Sequence, residues 1–155
     1  MVYGALTALE NLRFFAQLYH CWPAGVHGDI DAEDQWLMES IRDVGLEQAA
    51  GRVTSGFSRG MSQRLTLARA LLPDPAVLLL DEPFTGLDRA GIDSLCQLIS
   101  DARDRGTTVI MSSHDLETTA RLADRALVLK RGRVQAFEEL NREVSLSELY
   151  LRSAV

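Results

Sequence analysis

The chain has 155 residues, of which 46% are apolar and 25% charged, so it can form one domain with a hydrophobic core. Its net charge of -6 argues against a nucleic-acid binder, because attraction to phosphates requires a basic face. Cys21 and Cys96 form no CxxC pair, and the longest apolar run is far shorter than the ~20 residues that span a bilayer. We therefore expect a soluble, cytosolic protein with incidental thiols that meets a membrane only through a partner.

The first part of the sequence predicts short amphipathic helices. The sequence Thr-Ala-Leu-Glu that starts at Thr7 matches a capping box, which predicts a helix from there to Tyr19. A loop rich in glycine follows, and a second helix is predicted over 32–44. A third helix is predicted to begin at Ser58. Together these elements indicate a helical subdomain over 1–72.

From residue 73 onward, apolar runs of strand length alternate with helical patterns. The runs predict strands over 76–80, 107–111 and 125–129, and we expect the first two to be buried. The remaining elements are predicted helices over 90–105, 116–122 and 145–151 and a hairpin strand over 134–137. This alternation predicts an α/β core with a parallel sheet over 73–155.

Two adjacent carboxylates, Asp81 and Glu82, directly follow the strand predicted over 76–80. Open α/β sheets bind their ligands at the carboxyl ends of the strands. In a phosphoryl-transfer site the first acid would help to hold Mg²⁺, and the second would polarise the attacking water as a general base. Taken alone, the pair is equally consistent with a solvated loop.

Two further segments carry candidate site residues. Ser58 at a helix start, followed by Gly60, predicts an anion site, because the first N–H groups of a helix are unpaired and the dipole is positive there. A plain N-cap is the alternative, and for Ser58 alone it is favoured. His114 follows the second predicted strand, so we expect it at the same sheet edge as Asp81 and Glu82, although a lone histidine is more often structural.

Four segments in this order resemble the ATP-binding cassette (ABC) family. The sequence FSRGM resembles the family's signature motif LSGGQ, VLLLDEP its Walker B strand, TGLD its D-loop and SSHD its switch-histidine segment. The order and spacing agree along essentially the whole chain. The resemblance implies a P-loop NTPase-like ATPase core, in which a parallel sheet is flanked by helices and carries a helical signature subdomain.

The resemblance also implies a role for each matching residue. Asp81 would serve Mg²⁺, Glu82 would be the catalytic base, and His114 would contact the γ-phosphate. Ser58 and Gly60 would bind the γ-phosphate of ATP held by the opposite subunit. Asp88 would join the sites of the two subunits.

Two positions of the nucleotide-contacting signature segment depart from the family. Arg59 stands where the family has its first signature glycine, and Met61 stands where it has glutamine. Ser58 and Gly60 match the motif, so contact with phosphate through a hydroxyl and the backbone is still expected.

The resemblance implies ATP and Mg²⁺ as cofactors and two partners, a membrane permease and a second nucleotide-binding subunit, with no role for nucleic acid. It places the protein peripherally on the inner face of the plasma membrane. The segment LTALENLRFFAQLY, with FSRGM and DEPFTGLD, resembles haem exporters of cytochrome c maturation, and drug or polysaccharide exporters are the rivals. A chromosome- or repair-type ABC ATPase is disfavoured, because residues 6–57 predict only short helices and no long coiled-coil insertion.

The sequence contains no G-x-x-x-x-G-K-[ST] motif, and its one lysine, Lys130, lies in a predicted turn. That motif supplies the backbone cradle and the lysine for the β- and γ-phosphates. We therefore expect an N-terminally truncated chain that is inactive alone. The alternative function is an interaction module that lends its signature helix to an intact partner. The resemblance places the missing strand beside 76–80, so we also expect low stability and association through an unpaired apolar edge. We expect the apolar faces of 76–80 and 107–111 to lose part of their cover as well.

Overall fold

The computed structural model describes residues 2–140 and 145–154. Its helices and strands divide into two compact units, Met1–Met111 and Ser112–Val155. The first unit contains four helices, α1 (Ala8–Tyr19), α2 (Ile30–Asp43), α3 (Arg59–Leu71) and α4 (Arg89–Asp104). It also contains strand β1 (Val77–Asp81) and most of strand β2 (Thr108–Ser112). The separation of a helical subdomain at residue 72 stays a prediction.

The first two helices begin where side chains cap them. The capping box predicted at Thr7 is confirmed, since the Glu10 N–H donates to Thr7 Oγ1 at 3.2 Å and the Thr7 N–H donates to Glu10 Oε2 at 2.8 Å. These hydrogen bonds from Thr7 hold the pKa of Glu10 below its ordinary value. Helix α2 begins two residues earlier than predicted, because Asp29 Oδ1 accepts from the N–H groups of Asp31 and Ala32.

Helices α1, α2 and α3 share a core in which Leu12, Leu37, Ile41 and Leu65 have no exposed surface. Period-3.6 spacing puts one apolar stripe of each helix into this core. The chain turns at the end of α2 through Gly45, whose φ of +66° lies in the left-handed region that glycine adopts at least cost. The packing of α3 against α1 and α2 thus sets the position at which α3 starts.

A buried asparagine fixes the segment that precedes α1. Asn11 Nδ2 donates to the carbonyls of Tyr3 at 3.0 Å and Thr7 at 2.9 Å, and Asn11 Oδ1 accepts from the Tyr3 N–H at 2.7 Å. Thr54, just upstream of α3, donates its hydroxyl to the Tyr3 carbonyl at 2.8 Å. These hydrogen bonds join the segment that precedes Ser58 to the first residues of the chain.

Strands β1 and β2 lie side by side, and α4 connects them in the crossover arrangement of a parallel α/β sheet. The two strands are only partly buried, as expected for apolar faces that lose part of their cover. Leu78 is 4% exposed, but Val77, Leu79 and Ile110 are 52%, 71% and 56% exposed. Alternate side chains of a strand point to opposite faces. One face of each strand is therefore exposed in the 155-residue chain.

The second unit consists of α5 (Leu116–Ala120), β3 (Arg125–Lys130), β4 (Arg133–Glu139) and α6 (Leu146–Ala154). The predicted hairpin is confirmed, because β3 and β4 pair antiparallel, with Leu127 opposite Phe137. Leu146 and Leu149 of α6 are buried in one cluster with Ala126 of β3. None of the helices described in either unit has both the length and the apolar character to cross a membrane.

Candidate functional site

Strand β1 delivers the two predicted acids to its carboxyl end. Asp81 is its last residue and is exposed, while Glu82 follows at once with a φ of +47°. A left-handed conformation is unfavourable for a residue other than glycine, and such strain concentrates at functional sites. The Thr85 N–H donates to the Glu82 carbonyl at 3.2 Å and closes a turn. Glu82 is therefore the point at which the chain leaves the sheet.

Ser58 is the N-cap of α3, and its Oγ accepts from the Met61 N–H at 3.2 Å. The N-cap alternative is thus confirmed as the local role of this side chain. The residue is exposed, and a hydroxyl that accepts one hydrogen bond still carries its own O–H donor. The structure is therefore compatible with a second role for Ser58 toward an anion, which stays a prediction.

The structure brings the start of α3 against the loop 83–88, which the sequence alone does not reveal. A Cβ built on Gly60 would lie 3.2 Å from Leu87 Cδ2, so the helix backbone and the loop are in close contact. Gln63 Nε2 donates to the Pro83 carbonyl. Gln63 was not among the predicted site residues, although it lies only two positions beyond Met61. The signature segment and the D-loop segment thus form one surface.

Asp88 ends the loop as the N-cap of α4. Its Oδ1 accepts from the Gly91 N–H at 2.8 Å. A Cβ built on Gly91 would lie 2.9 Å from that oxygen, a distance that real Cβ atoms essentially never show. Glycine at this position therefore lets the carboxylate approach the helix end. The predicted role of Asp88 between two subunits stays a prediction.

His114 lies in the second unit and is exposed. The residues on either side of it are tied down, because Ser113 Oγ accepts from the Asp115 N–H at 3.1 Å and Asp115 caps α5. Asp115 Oδ1 accepts from the Thr118 N–H at 3.0 Å, and Thr118 Oγ1 donates to Asp115 Oδ2 at 2.6 Å. Asp115 therefore holds the histidine segment at the start of α5. Sequence reasoning missed it, although an Asp before a helix is an N-cap signal.

Hydrogen bonds from the Thr118 side chain and backbone, aided by the charge of His114, hold the pKa of Asp115 below its ordinary 3.8. A lowered folded-state pKa means that this group stabilises the fold at pH values above 3.8. The stabilisation is lost as the pH falls through the lower, folded-state pKa. We therefore expect Asp115→Ala to weaken α5 near neutral pH, where removing an N-cap costs about 0.5–2 kcal/mol.

Amide hydrogen exchange at Thr118 measures this effect locally, and the expected acceleration at pH 7 is about 2- to 30-fold. Asp115→Asn is the matched control, because asparagine caps helices as well as aspartate but does not titrate. The difference in exchange between Asp115→Asn and Asp115→Ala should therefore be the same at pH 7 and below pH 3.8. The difference between parent and Asp115→Ala should shrink below pH 3.8. An equal difference at both pH values would contradict a role of the ionised carboxylate.

The described residues contain no group of three or more His, Cys, Asp or Glu that could hold a metal ion. Mg²⁺ in nucleotide sites keeps several waters and is bound by one or two carboxylates together with the substrate phosphates. A single exposed carboxylate, Asp81, at a strand end meets that requirement. The residues therefore fit an ion held largely by a nucleotide and not one held by a protein cage.

Comparisons with known proteins identify the family of this chain. Residues 2–85 match the ABC transporter family. The chain is 39% identical to a fluoroquinolones export ATP-binding protein of Mycobacterium tuberculosis over 136 residues, which cover 88% of the chain and 42% of that protein. It is similar to the solved structure of an ATP-binding subunit of an ABC transporter, with a TM-score of 0.83 and 30% identity, covering 100% of the chain and 65% of that one.

A second solved structure is a dimeric ATP-binding cassette bound to ADP and Pi in a post-hydrolysis state, with a TM-score of 0.76 and 30% identity. The likeness covers 90% of the chain and 59% of that one. The chain thus spans between two fifths and two thirds of the length of these three proteins. Because the family match covers more than half of the chain and the fold agrees throughout, the protein belongs to the ABC transporter family and contains part of its ATP-binding domain.

Proposed function

We propose that this chain is the signature- and Walker B-bearing part of an ATP-hydrolysing subunit that powers an ABC exporter. One observation carries the proposal: the signature segment at the start of α3 lies against the loop 83–88, which begins immediately after Asp81 and Glu82. This arrangement puts phosphate-recognising and hydrolytic groups on one unit.

Each residue would contribute a defined step. The Glu82 carboxylate would accept a proton from the water that attacks the γ-phosphorus. The oxygen of this water gains hydroxide character as it approaches the phosphorus. Asp81 would hold Mg²⁺, which when bound neutralises charge on the phosphate oxygens. His114 would donate a hydrogen bond to the γ-phosphate, since a ring N–H can approach a phosphate oxygen directly.

The signature segment would act on the nucleotide of the opposite subunit. The Ser58 hydroxyl and the N–H groups at the start of α3, including that of Gly60, would donate to phosphate oxygens at the positive end of the helix dipole. Met61 would support this turn through its N–H, which already bonds to Ser58. Asp88, at the far end of the loop, would link the two sites of the dimer.

An exporter is favoured because the Mycobacterium tuberculosis relative is a fluoroquinolones export protein. We infer a membrane permease and a second nucleotide-binding subunit as partners, and a place on the inner face of the membrane that follows from the permease. The dimeric neighbour with ADP and Pi supports the second subunit. Haem export for cytochrome c maturation stays a prediction from the sequence resemblance alone.

The purified 155-residue chain is expected to show no appreciable Mg²⁺-dependent ATP hydrolysis. Its acids and histidine are in the sequence, but the phosphate-binding loop is not, and phosphoryl transfer depends mainly on positioning and charge stabilisation. A coupled assay of phosphate release measures this. Turnover by the purified chain that Glu82→Ala abolishes would contradict the prediction.

The proposed function itself is tested in an extended subunit, in which the phosphate-binding segment of a family member is fused ahead of this sequence. Hydrolysis of ATP by the extended subunit, lost in Glu82→Ala, is the expected result. If the extended subunit binds ATP but hydrolyses none, the alternative of a non-catalytic interaction module is favoured. Stimulation of an intact partner subunit by the 155-residue chain would support that alternative directly.

A further inference from the structure

The side chain of Arg59 lies across the backbone of Gly86. A Cβ built on Gly86 would lie 3.1 Å from each of Cδ, Nε and Cζ of Arg59. Three successive side-chain atoms at one distance mean that the end of the arginine lies flat over this residue. Gly86 has a φ of +77°, which favours glycine, and it has no side chain to displace the arginine. Both properties of Gly86 make this contact possible.

Two further contacts join the first turns of α3 to the loop 83–88. The backbone at Gly60 meets the Leu87 side chain, and Gln63 Nε2 donates to the Pro83 carbonyl. Neither of these needs an arginine. Arg59 adds a long side chain that reaches Gly86 in the middle of the loop, which a glycine at position 59 could not do.

We propose that Arg59 is a positioning residue that clasps the signature turn to the loop 83–88 through Gly86. The clasp fixes the spacing between Ser58, which caps α3, and Asp88, which caps α4. The clasp is a property of the fold of one chain. Any effect of the clasp on ATP turnover rests on the proposed function. In that function Ser58 and Asp88 would have to contact the opposite subunit at the same time.

A double-mutant cycle on the 155-residue chain tests the clasp without reference to activity. Gly86→Ala combines the strain of a positive φ with displacement of Arg59, whereas in an Arg59→Ala background only the strain remains. We expect Gly86→Ala to lower Tm by at least about 2 °C more in the parent than in that background, as for residues in direct contact. Additive shifts would overturn the proposal.

Gly25 is the matched control, since its φ of +79° is close to that of Gly86 and a Cβ there would meet nothing within 4 Å. Gly25→Ala should lower Tm equally in both backgrounds. Limited trypsin digestion gives a second measurement that needs no cooperative melt. Cleavage after Arg59 should be faster in Gly86→Ala than in Gly25→Ala. Equal cleavage rates in the two variants would overturn the clasp.

The extended subunit separates positioning from direct nucleotide contact. We expect Arg59→Ala to lower kcat about tenfold or more while the KM for ATP changes less than twofold, because the nucleotide is held mainly by the opposite subunit. Arg59→Gln keeps Cδ and a planar end without the charge, so it should recover most of kcat. A raised KM, or recovery by Arg59→Lys but not by Arg59→Gln, would overturn the positioning role in favour of a charge contact.

These arms distinguish failure of the clasp from failure of the proposed function. A coupled cycle in the 155-residue chain, together with an extended subunit that lacks ATPase activity, would retain the clasp and reject the function. An additive cycle together with an active extended subunit would reject the clasp and retain the function.

Discussion

Glu82→Gln in the extended subunit is expected to lower kcat for ATP hydrolysis by about 10²- to 10⁴-fold, the usual contribution of a general base. The amide keeps the size and shape of the side chain but does not accept the proton of the attacking water. Binding of ATP should persist, since the phosphates are held by other groups, and the variant should accumulate as an ATP-bound closed dimer. Size-exclusion chromatography with ATP and single-turnover hydrolysis measure both effects.

Glu39→Gln is the matched control, because Glu39 is an exposed carboxylate of α2 outside the loop 83–88 and the signature turn. Its turnover should equal that of the parent. The backbone at position 82 also needs checking, since its φ of +47° is strained in both Glu and Gln. A circular dichroism spectrum and Tm unchanged from the parent would exclude misfolding. Turnover of Glu82→Gln within a few-fold of the parent would mean that Glu82 is not the base.

Ser58→Arg in the extended subunit should abolish cooperative turnover while leaving ATP binding by the same chain intact. The proposed role of Ser58 is toward the nucleotide of the opposite subunit, so the bulky cation would block dimer closure and not the chain's own site. ATP binding is measured by equilibrium titration of monomeric subunit, and cooperativity by the dependence of turnover on subunit concentration. Loss of ATP binding in the monomer would contradict the assignment.

The substitution also removes an N-cap, which by itself costs about 0.5–2 kcal/mol of stability. Ser145→Arg controls for this loss, because Ser145 is exposed and its Oγ accepts from the Glu148 N–H at 3.2 Å, the same distance as in the Ser58 cap. Ser145→Arg should therefore lose stability but keep cooperative turnover. Equal loss of turnover in both variants would attribute the effect to stability alone.

Contacts between residues close in sequence could be predicted from the sequence. The capping box at Thr7, the N-cap at Ser58 and the hairpin of β3 with β4 follow from the order of residue types over three to fifteen positions. Such contacts depend on short-range backbone geometry, which neighbouring residues determine. The predicted start of α2 is two residues late because both Asp29 and Asp31 are N-cap candidates by residue type, and only the structure shows that Asp29 is the cap.

In the candidate site, too, the features that depend on local interactions could be predicted from the sequence. The order of the motifs placed Asp81, Glu82 and Asp88 at a strand end and a following loop, because a strand and the turn after it are local features. The left-handed conformation of Glu82 has no signal in its residue type, since a glutamate rarely adopts it. Only the structure shows it, at the point where the chain passes from β1 to the buried residues Pro83 and Phe84.

The order of the elements and the caps at Thr7 and Ser58 could therefore be predicted from the sequence by itself, because they depend on local interactions. Only the tertiary structure decided which side chains of β1 and β2 are exposed and that the α3 turn meets the loop 83–88. Burial depends on what covers a face, and the contact of Arg59 with Gly86 joins residues 27 positions apart. Neither can be inferred from spacing, because both depend on how distant elements pack in three dimensions.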